Sequence, residues 1–414
     1  MQQTPQQLPR AIVVGAGPAG LAAAEVLADA GVRVALHDRM PNPARKFLLA
    51  GRGGLNLTHS ENLETFLERY GAARPWLEPA IRAFPPEEMR AWCEGLGVET
   101  FVGSSGRVFP RTMKASPLLR TWLARLASLS VEFHARSRWA GWNGPDLAFE
   151  TDAGKTSASA EVAILALGGA SWPRLGSDGS WQGTLAARGV ALAPLRPANC
   201  GFRTGWSDIF RDQFAGHPVK SARFSFAGES VRGEAMITRN GIEGGPVYAL
   251  SASLRNALES GEMVALEIDL YPDLTLEALM VRLTQDPAGP IGQMSMSNRL
   301  RKAGLAQAAA GLLREDVLGP ALPDNPGLLA ARIKRTRIQL QGAFPIERAI
   351  STAGGVRWDS LSADLSLKAD PRTFVCGEML DWEAPTGGYL LQACIATGRA
   401  AGLGALARVR AAAS

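Results

Sequence analysis

The sequence predicts an α/β protein whose larger domain is assembled from both ends of the chain, and three observations predict it. Near the amino terminus a short apolar run passes through three spaced glycines into an alanine-rich stretch of helical character. Near the carboxyl terminus a second apolar run meets a glycine, an acid and a further glycine pair. Between them the pattern changes to short alternating segments. A chain of 414 residues is long enough for two or three domains, each with its own core.

Residues 11–27, AIVVGAGPAGLAAAEVL, read as strand, glycine turn and helix. Each glycine answers a physical demand: Gly15 permits the tight turn, Gly17 lets the backbone approach a pyrophosphate, and Gly20 lets the helix pack against the strand. Pro18, Ala19 and Gly20 open a helix whose amino terminus faces a dianion. A second strand over residues 32–37 ends at Asp38, placed to bind a ribose hydroxyl and to disfavour a 2′-phosphate, with Arg39 beside it. This is the pattern of a Rossmann-type dinucleotide site. A second apparent match, GLGALA at residues 402–407, has no strand before it and carries no such reading. One good fingerprint instead of two points to one dinucleotide held permanently, FAD, with NAD(P)H visiting as a transient reductant.

Composition agrees with an enzyme. Hydrophobic residues make up 46% of the chain and charged residues 20%, with 45 glycines, which describes a folded protein and excludes a disordered or fibrous one. The four cysteines are scattered without a CxxC and only four histidines accompany them, so neither a disulfide framework nor a metal site is expected. The amino terminus lacks the basic-then-apolar order of an export signal, and no stretch offers about 18 uninterrupted apolar residues. A cytoplasmic protein with no membrane partner is expected.

Past Asp38, residues 45–61 read RKFLLAGRGGLNLTHSE. Gly51, Gly53 and Gly54 make a loop able to lie against a planar or phosphorylated ligand, Arg45, Lys46 and Arg52 supply positive charge, and Asn56 follows. In VAILALGGASWPRLGSDG, residues 162–179, an apolar strand breaks at Gly168 and Gly169, where the chain must pass close to the ligand. TFVCGEMLD, residues 373–381, leads a strand to Gly377 and Glu378. PTGGYLLQACIATGRAAG, residues 385–402, then starts a helix at Gly387, Gly388 and Tyr389. The amino terminus of that helix is expected to point positive dipole at the flavin's N1 and O2 edge.

Together with GRVFPRTMKAS at residues 106–116, ITRNGIEGGPVYALS at 237–251 and AGGVRW at 353–358, these stretches resemble a family of bacterial NAD(P)/FAD-dependent oxidoreductases. That family includes bile-acid-inducible dehydrogenases, ribosomal RNA dihydrouridine synthase and aminoacetone oxidases, and the resemblance covers most of the chain. It implies a discontinuous, glutathione-reductase-like FAD-binding domain, a β-barrel-like insert, and the Glu378 carboxylate on a ribityl hydroxyl. Many members carry a cysteine where this chain has Leu55, an asparagine where it has Leu390 and a threonine where it has Leu167. Chemistry resting on those side chains is put in question by the departures.

In the middle, ARFSFAG and MVALEIDL read as antiparallel strands, while LTLEALMVRL and RLRKAGLAQAAAGLL read as helices broken by Pro and Gly. The expected domains are residues 1–193 with 351–414 for FAD, 194–275 with 332–350 as a β-rich insert, and 276–331 as a small helical subdomain. Residues 276–337 hold nine Lys or Arg against five Asp or Glu, in a chain of net charge +5. The densest charges there are Arg299, Arg301, Lys302, Arg332, Lys334, Arg335 and Arg337, which read either as a solvated helical face or as a contact for an RNA phosphate backbone.

Arg52, His59 and Tyr389 are the candidates for catalytic work, chosen for nearness to the glycine motifs. The expected function is two-electron redox chemistry, with hydride passing from NAD(P)H through FAD to an electron-poor double bond. The resemblance offers three substrate classes: a ribosomal RNA uridine, a small enone such as an oxo-steroid, or an amine oxidised by oxygen. The rival reading is an FAD protein without turnover of its own that binds RNA through its basic insert.

Overall fold

The apolar run near the amino terminus becomes a strand, Arg10–Val14, in the middle of a six-stranded sheet. The computed structural model describes residues 10–284 and 295–413. The sheet runs Ser366–Leu367, Asp370–Val375, Val162–Leu165, Arg10–Val14, Arg33–His37 and Glu132–His134. Ser366–Leu367 is antiparallel to its neighbour and the other pairs are parallel, with Ile12 level with Ala163 on one side and Ala35 on the other. Residues 162–165 are buried throughout, as a parallel strand covered on both faces requires.

Two helices from opposite ends of the chain, Pro18–Asp29 and Tyr389–Ala413, pack along each other on this sheet. Their contact leaves no room for side chains. A Cβ on Gly398 would lie 2.2 Å from the Ala19 carbonyl oxygen, and one on Gly402 would lie 3.0 Å from that of Ala23. The 402–407 glycine pattern therefore sits inside a helix and serves packing. The stretch Tyr389–Ala412 is long and apolar enough in composition to cross a membrane, yet this close seam makes it a core helix. A buried acid, Glu25, fastens the other side of the first helix, accepting from the Trp122 indole at 2.7 Å and the Arg125 guanidinium at 2.9 Å.

The chain divides into two compact units, Met1–Arg196 with Ser351–Ser414, and Pro197–Ile350. The second unit is a closed six-stranded barrel in the order Phe202–Thr204, Gly241–Glu243, Glu229–Thr238, Pro218–Phe226, Ala265–Asp269, Thr336–Ala343. Helices follow where the sequence period placed them, Leu276–Thr284, Met296–Lys302, Gln307–Leu312 and Pro326–Lys334, with Gly304 at φ +86° in one of the breaks. Leu279, Leu300, Leu312 and Leu329 enter the same hydrophobic cluster as the barrel residues Phe202, Phe224 and Ile268. The segment expected as a helical subdomain thus shares the barrel's core.

Of the seven cations singled out in this unit, Arg301 and Lys302 are exposed and Arg337 partly so, and the other four have partners within the unit. Arg299 and Arg332 are buried, Arg299 donating to the carbonyls of Leu283 and Asp324 and Arg332 to those of Ala321 and Leu313. Lys334 pairs with Asp269 at 2.7 Å and donates to the carbonyls of Tyr271 and Leu274. Arg335 is exposed but donates to Glu267 at 2.8 Å. These side chains satisfy chain ends and loops, which net charge counted along a sequence does not reveal.

The helix seam makes a test. Gly398→Leu should destabilise the first unit by about 3 kcal/mol or more, because neither partner at the contact is a flexible side chain that can move aside. A melting temperature equal to that of the parent protein would show that the two helices do not approach as described.

Candidate functional site

The three fingerprint glycines have separable roles. Gly15 adopts φ +102°, and a Cβ there would lie 2.3 Å from the Ala166 carbonyl oxygen; on Gly20 it would lie 1.9 Å from that of Gly15. These two let turn, helix and neighbouring strand end close together. Gly17 is different: it caps the helix at φ −79°, and nothing lies within 4 Å of its Cβ direction. The helix begins at Pro18, so the amides of Ala19 and Gly20 have no acceptor within it.

Asp38 closes this end of the site. Its Oδ2 accepts from the Ala16 amide at 2.6 Å and its Oδ1 from the Met40 amide at 2.7 Å, and each oxygen keeps a lone pair for a ligand hydroxyl. Burial holds the carboxyl above its ordinary value, against the pull of both amides. Arg39, expected at the ligand, is paired with Asp178 in the loop after the Val162–Leu165 strand. His37 stacks between His134 and Phe149.

The later motifs converge on the same place. A Cβ on Gly377 would lie 2.7 Å from that of Ala19, so the carboxyl-terminal strand end touches the first helix at its fingerprint. Lys46 donates to Glu378 Oε2 at 2.7 Å and to the Ser171 hydroxyl at 2.8 Å. Glu378 also accepts from the Thr352 amide at 2.9 Å and from the Gly169 amide at 3.4 Å. The residue expected to hold a ribityl hydroxyl therefore ties four segments together. Its Oε1, with one donor recorded, retains capacity for a ligand. Gly168, at φ +72°, gives its carbonyl to the Trp181 indole, and Gly377 gives its own to Trp382, each at 2.9 Å. Trp172 stays partly exposed.

The glycine loop follows the helix Arg45–Ala50, which Arg45 begins half-buried. Gly51 abuts Ala115, Gly54 turns at φ +109°, and Gly53 faces open space; the Arg52 side chain lies outside the described residues. Leu55 and Leu57 are buried, while Asn56 Oδ1 is buried without a hydrogen-bond partner among the described residues. Gly387 and Gly388 adopt φ +141° and +101°, and a Cβ on Gly388 would lie 2.5 Å from the Thr58 Cα. Loop and last helix are therefore in backbone contact where the helix begins at Tyr389. Leu390 and Leu167 are partly buried against the core.

Two catalytic candidates are engaged elsewhere. The Tyr389 hydroxyl donates to Glu61 at 2.5 Å, and Arg69 donates to the same carboxylate at 2.7 Å. Burial, and then this bond to Glu61, push the phenol well above its ordinary value. His59 Nε2 donates to the Ser105 carbonyl at 3.0 Å while Nδ1 accepts from the Glu61 amide at 3.1 Å, so both ring nitrogens are in use. Burial also pushes the Cys394 thiol, near Glu378, up to about 12.

The residues present fit a dinucleotide. Open space at Gly17, helix amides without intrahelical acceptors, spare acceptor capacity on Asp38 and the orphaned Asn56 oxygen all suit an extended, oxygen-rich ligand. The sequence reading did not single out Ser171, Asp178 and Thr352, which hold Lys46, Arg39 and the Ala170 amide in place. The first two lie in a quoted motif, but no spacing rule marks them.

The glycine geometry yields a discriminating prediction. Gly17→Leu should leave the apoprotein folded, because its φ suits any residue and its side-chain direction is open, yet abolish FAD uptake. Gly15→Ala should instead lower the melting temperature of the apoprotein. Full FAD occupancy in a folded Gly17→Leu protein would show the site is elsewhere.

Comparison with known proteins agrees with this fold. Among solved structures, 3-ketosteroid delta1-dehydrogenase from Sterolibacterium denitrificans superposes with a TM-score of 0.54 at 10% identity, covering 96% of this chain and 99% of that one. Sdh1 of Mycobacterium smegmatis superposes with a TM-score of 0.50 at 16% identity, covering 98% and 70%. At such identities the likeness is one of fold. The 3-dehydro-bile acid delta(4,6)-reductase of Clostridium scindens is 26% identical over 412 residues, 96% of this chain and 98% of that protein. The ribosomal RNA dihydrouridine synthase of Escherichia coli is 26% identical over 394 residues, 92% and 94% respectively. The HI0933-like protein Rossmann domain matches residues 9–404, and the chain, with the Rossmann-type FAD-binding fold its sequence predicts, belongs to that family.

Proposed function

We propose that this FAD-dependent oxidoreductase reduces a ring carbon–carbon double bond conjugated with a carbonyl, the bound flavin supplying hydride obtained from NAD(P)H. The observation that carries the reading is the convergence of three distant motifs within one unit, fastened by the Lys46–Glu378 pair. In this reading Gly17 and the amides of Ala19 and Gly20 take the pyrophosphate, and Asp38 takes a ribose hydroxyl. Lys46, Asn56, Glu378 and the Gly387–Gly388 turn serve the flavin end. The positive end of the Tyr389–Ala413 helix, fixed by the Thr58 contact, favours negative charge near that turn.

Two relatives support the reaction class through their names. A 3-dehydro bile acid with a delta-4 double bond and a uridine both contain an alkene conjugated with a carbonyl, and both names describe its reduction. A small cyclic enone is the favoured substrate over ribosomal RNA, because Arg299, Arg332, Lys334 and Arg335 are engaged within their own unit. Hydride adds to the alkene carbon remote from the carbonyl, and the resulting enolate then requires a proton at the carbon beside the carbonyl. His59 and Tyr389, each held by internal hydrogen bonds, are not assigned that task. A cytoplasmic setting, where reduced nicotinamides are available, goes with this reading.

Anaerobic incubation with NADH or NADPH should convert a 3-oxo-delta-4 steroid to a product two hydrogens heavier, detected by mass spectrometry. Uridine reduction in ribosomal RNA fragments with no enone turnover would overturn the small-molecule assignment, and amine-dependent oxygen consumption alone would overturn the reaction class. His59→Ala should reduce kcat by less than about tenfold, against the roughly 10²–10⁴-fold loss expected on removing a general acid.

A further inference from the structure

We propose that Ser177 is a further binding residue for the dinucleotide, its hydroxyl donating to an oxygen of the ligand's polyol and pyrophosphate chain. The inference rests on the FAD-binding reading above and adds a residue to it. Ser177 lies between Gly176 at φ +102° and the Asp178–Gly179 turn, and only 5% of its surface is exposed. Its Oγ is buried and has no hydrogen-bond partner among the described residues. Native structures pair nearly all such groups, so an orphaned hydroxyl calls for an occupant.

Its surroundings say which kind. The Cβ direction of Gly168 points at both groups, 2.9 Å from Ser177 Oγ and 3.9 Å from Glu378 Oε2. The hydroxyl and the Glu378 carboxylate that Lys46 holds therefore lie on the same side of Gly168, and the Lys46 ammonium also contacts Ser171. Glu378 Oε2 already accepts from Lys46 and from the Gly169 amide. A buried hydroxyl on the same side of Gly168 as a lysine-paired carboxylate suits an oxygen-rich chain and suits an apolar ring poorly. The flanking Asp178 is fixed by Arg39 and by the Ser180 amide, so the turn that carries Ser177 is held from the adenosine side of the fingerprint.

The test is titration of apoprotein with FAD, followed by flavin fluorescence quenching, with the parent protein, Ser177→Ala and Ser177→Cys. Ser177→Ala should raise the FAD dissociation constant about five- to thirty-fold, as expected for one lost hydrogen bond, while the melting temperature of the apoprotein stays unchanged. Ser177→Cys, of similar volume and with a weaker donor, should also bind FAD less tightly, and decides the matter if the alanine variant folds poorly. Unchanged FAD affinity with a lowered apoprotein melting temperature would overturn the proposal and assign the hydroxyl to an internal water. Failure of the parent apoprotein to take FAD would instead overturn the flavin reading itself.

Discussion

Everything in the first unit depends on backbone approaching backbone where a methyl group would not fit. Gly20 against the Gly15 carbonyl, Gly15 against Ala166 and Gly398 against Ala19 bring the first strand, the strand at Val162–Leu165 and the two long helices into one tight junction. Because carbonyls and not side chains occupy the far side of each contact, the junction cannot be repacked by changing rotamers. The ends of two parallel strands and the amino terminus of the first helix are thereby held together, and that is where an open α/β sheet binds its ligand.

The polar groups around the junction are arranged by the same logic. Lys46, Glu378, Thr352 and Gly169 come from widely separated parts of the chain and satisfy one another in a partly buried setting. Such a network is stiff when complete and costly when one member is removed. Asn56 Oδ1 and Ser177 Oγ, buried without a partner among the described residues, have capacity for a ligand, as do the Asp38 carboxylate and Glu378 Oε1. In the second unit the buried Arg299 and Arg332 donate to loop carbonyls, and Lys334 and Arg335 have acidic partners.

Much of this was legible in the sequence wherever local chemistry is sufficient. The glycines at 15, 17 and 20, the acid at 38, the strand leading to Gly377 and the helix start at Tyr389 each follow from a conformational demand confined to a few residues. The barrel was expected through the family resemblance and the alternating strands, and it closed as six strands. Less legible were partners that only the fold brings together: Arg39 with Asp178, Tyr389 with Glu61, Lys46 with Glu378. Tyr389 and His59 looked available because a sequence shows proximity to a motif but not what a hydroxyl or a ring nitrogen already touches. Lys334 misled for the corresponding reason, its charge being visible while its partners, Asp269 and two carbonyls, are brought to it only by the fold.

The central claim is that the junction binds one FAD, and the most direct measurement is the identity and stoichiometry of the flavin released by heat from purified protein. The account predicts a yellow protein releasing close to one FAD per chain. Release of FMN, or a colourless protein that takes up no FAD on reconstitution, would contradict it.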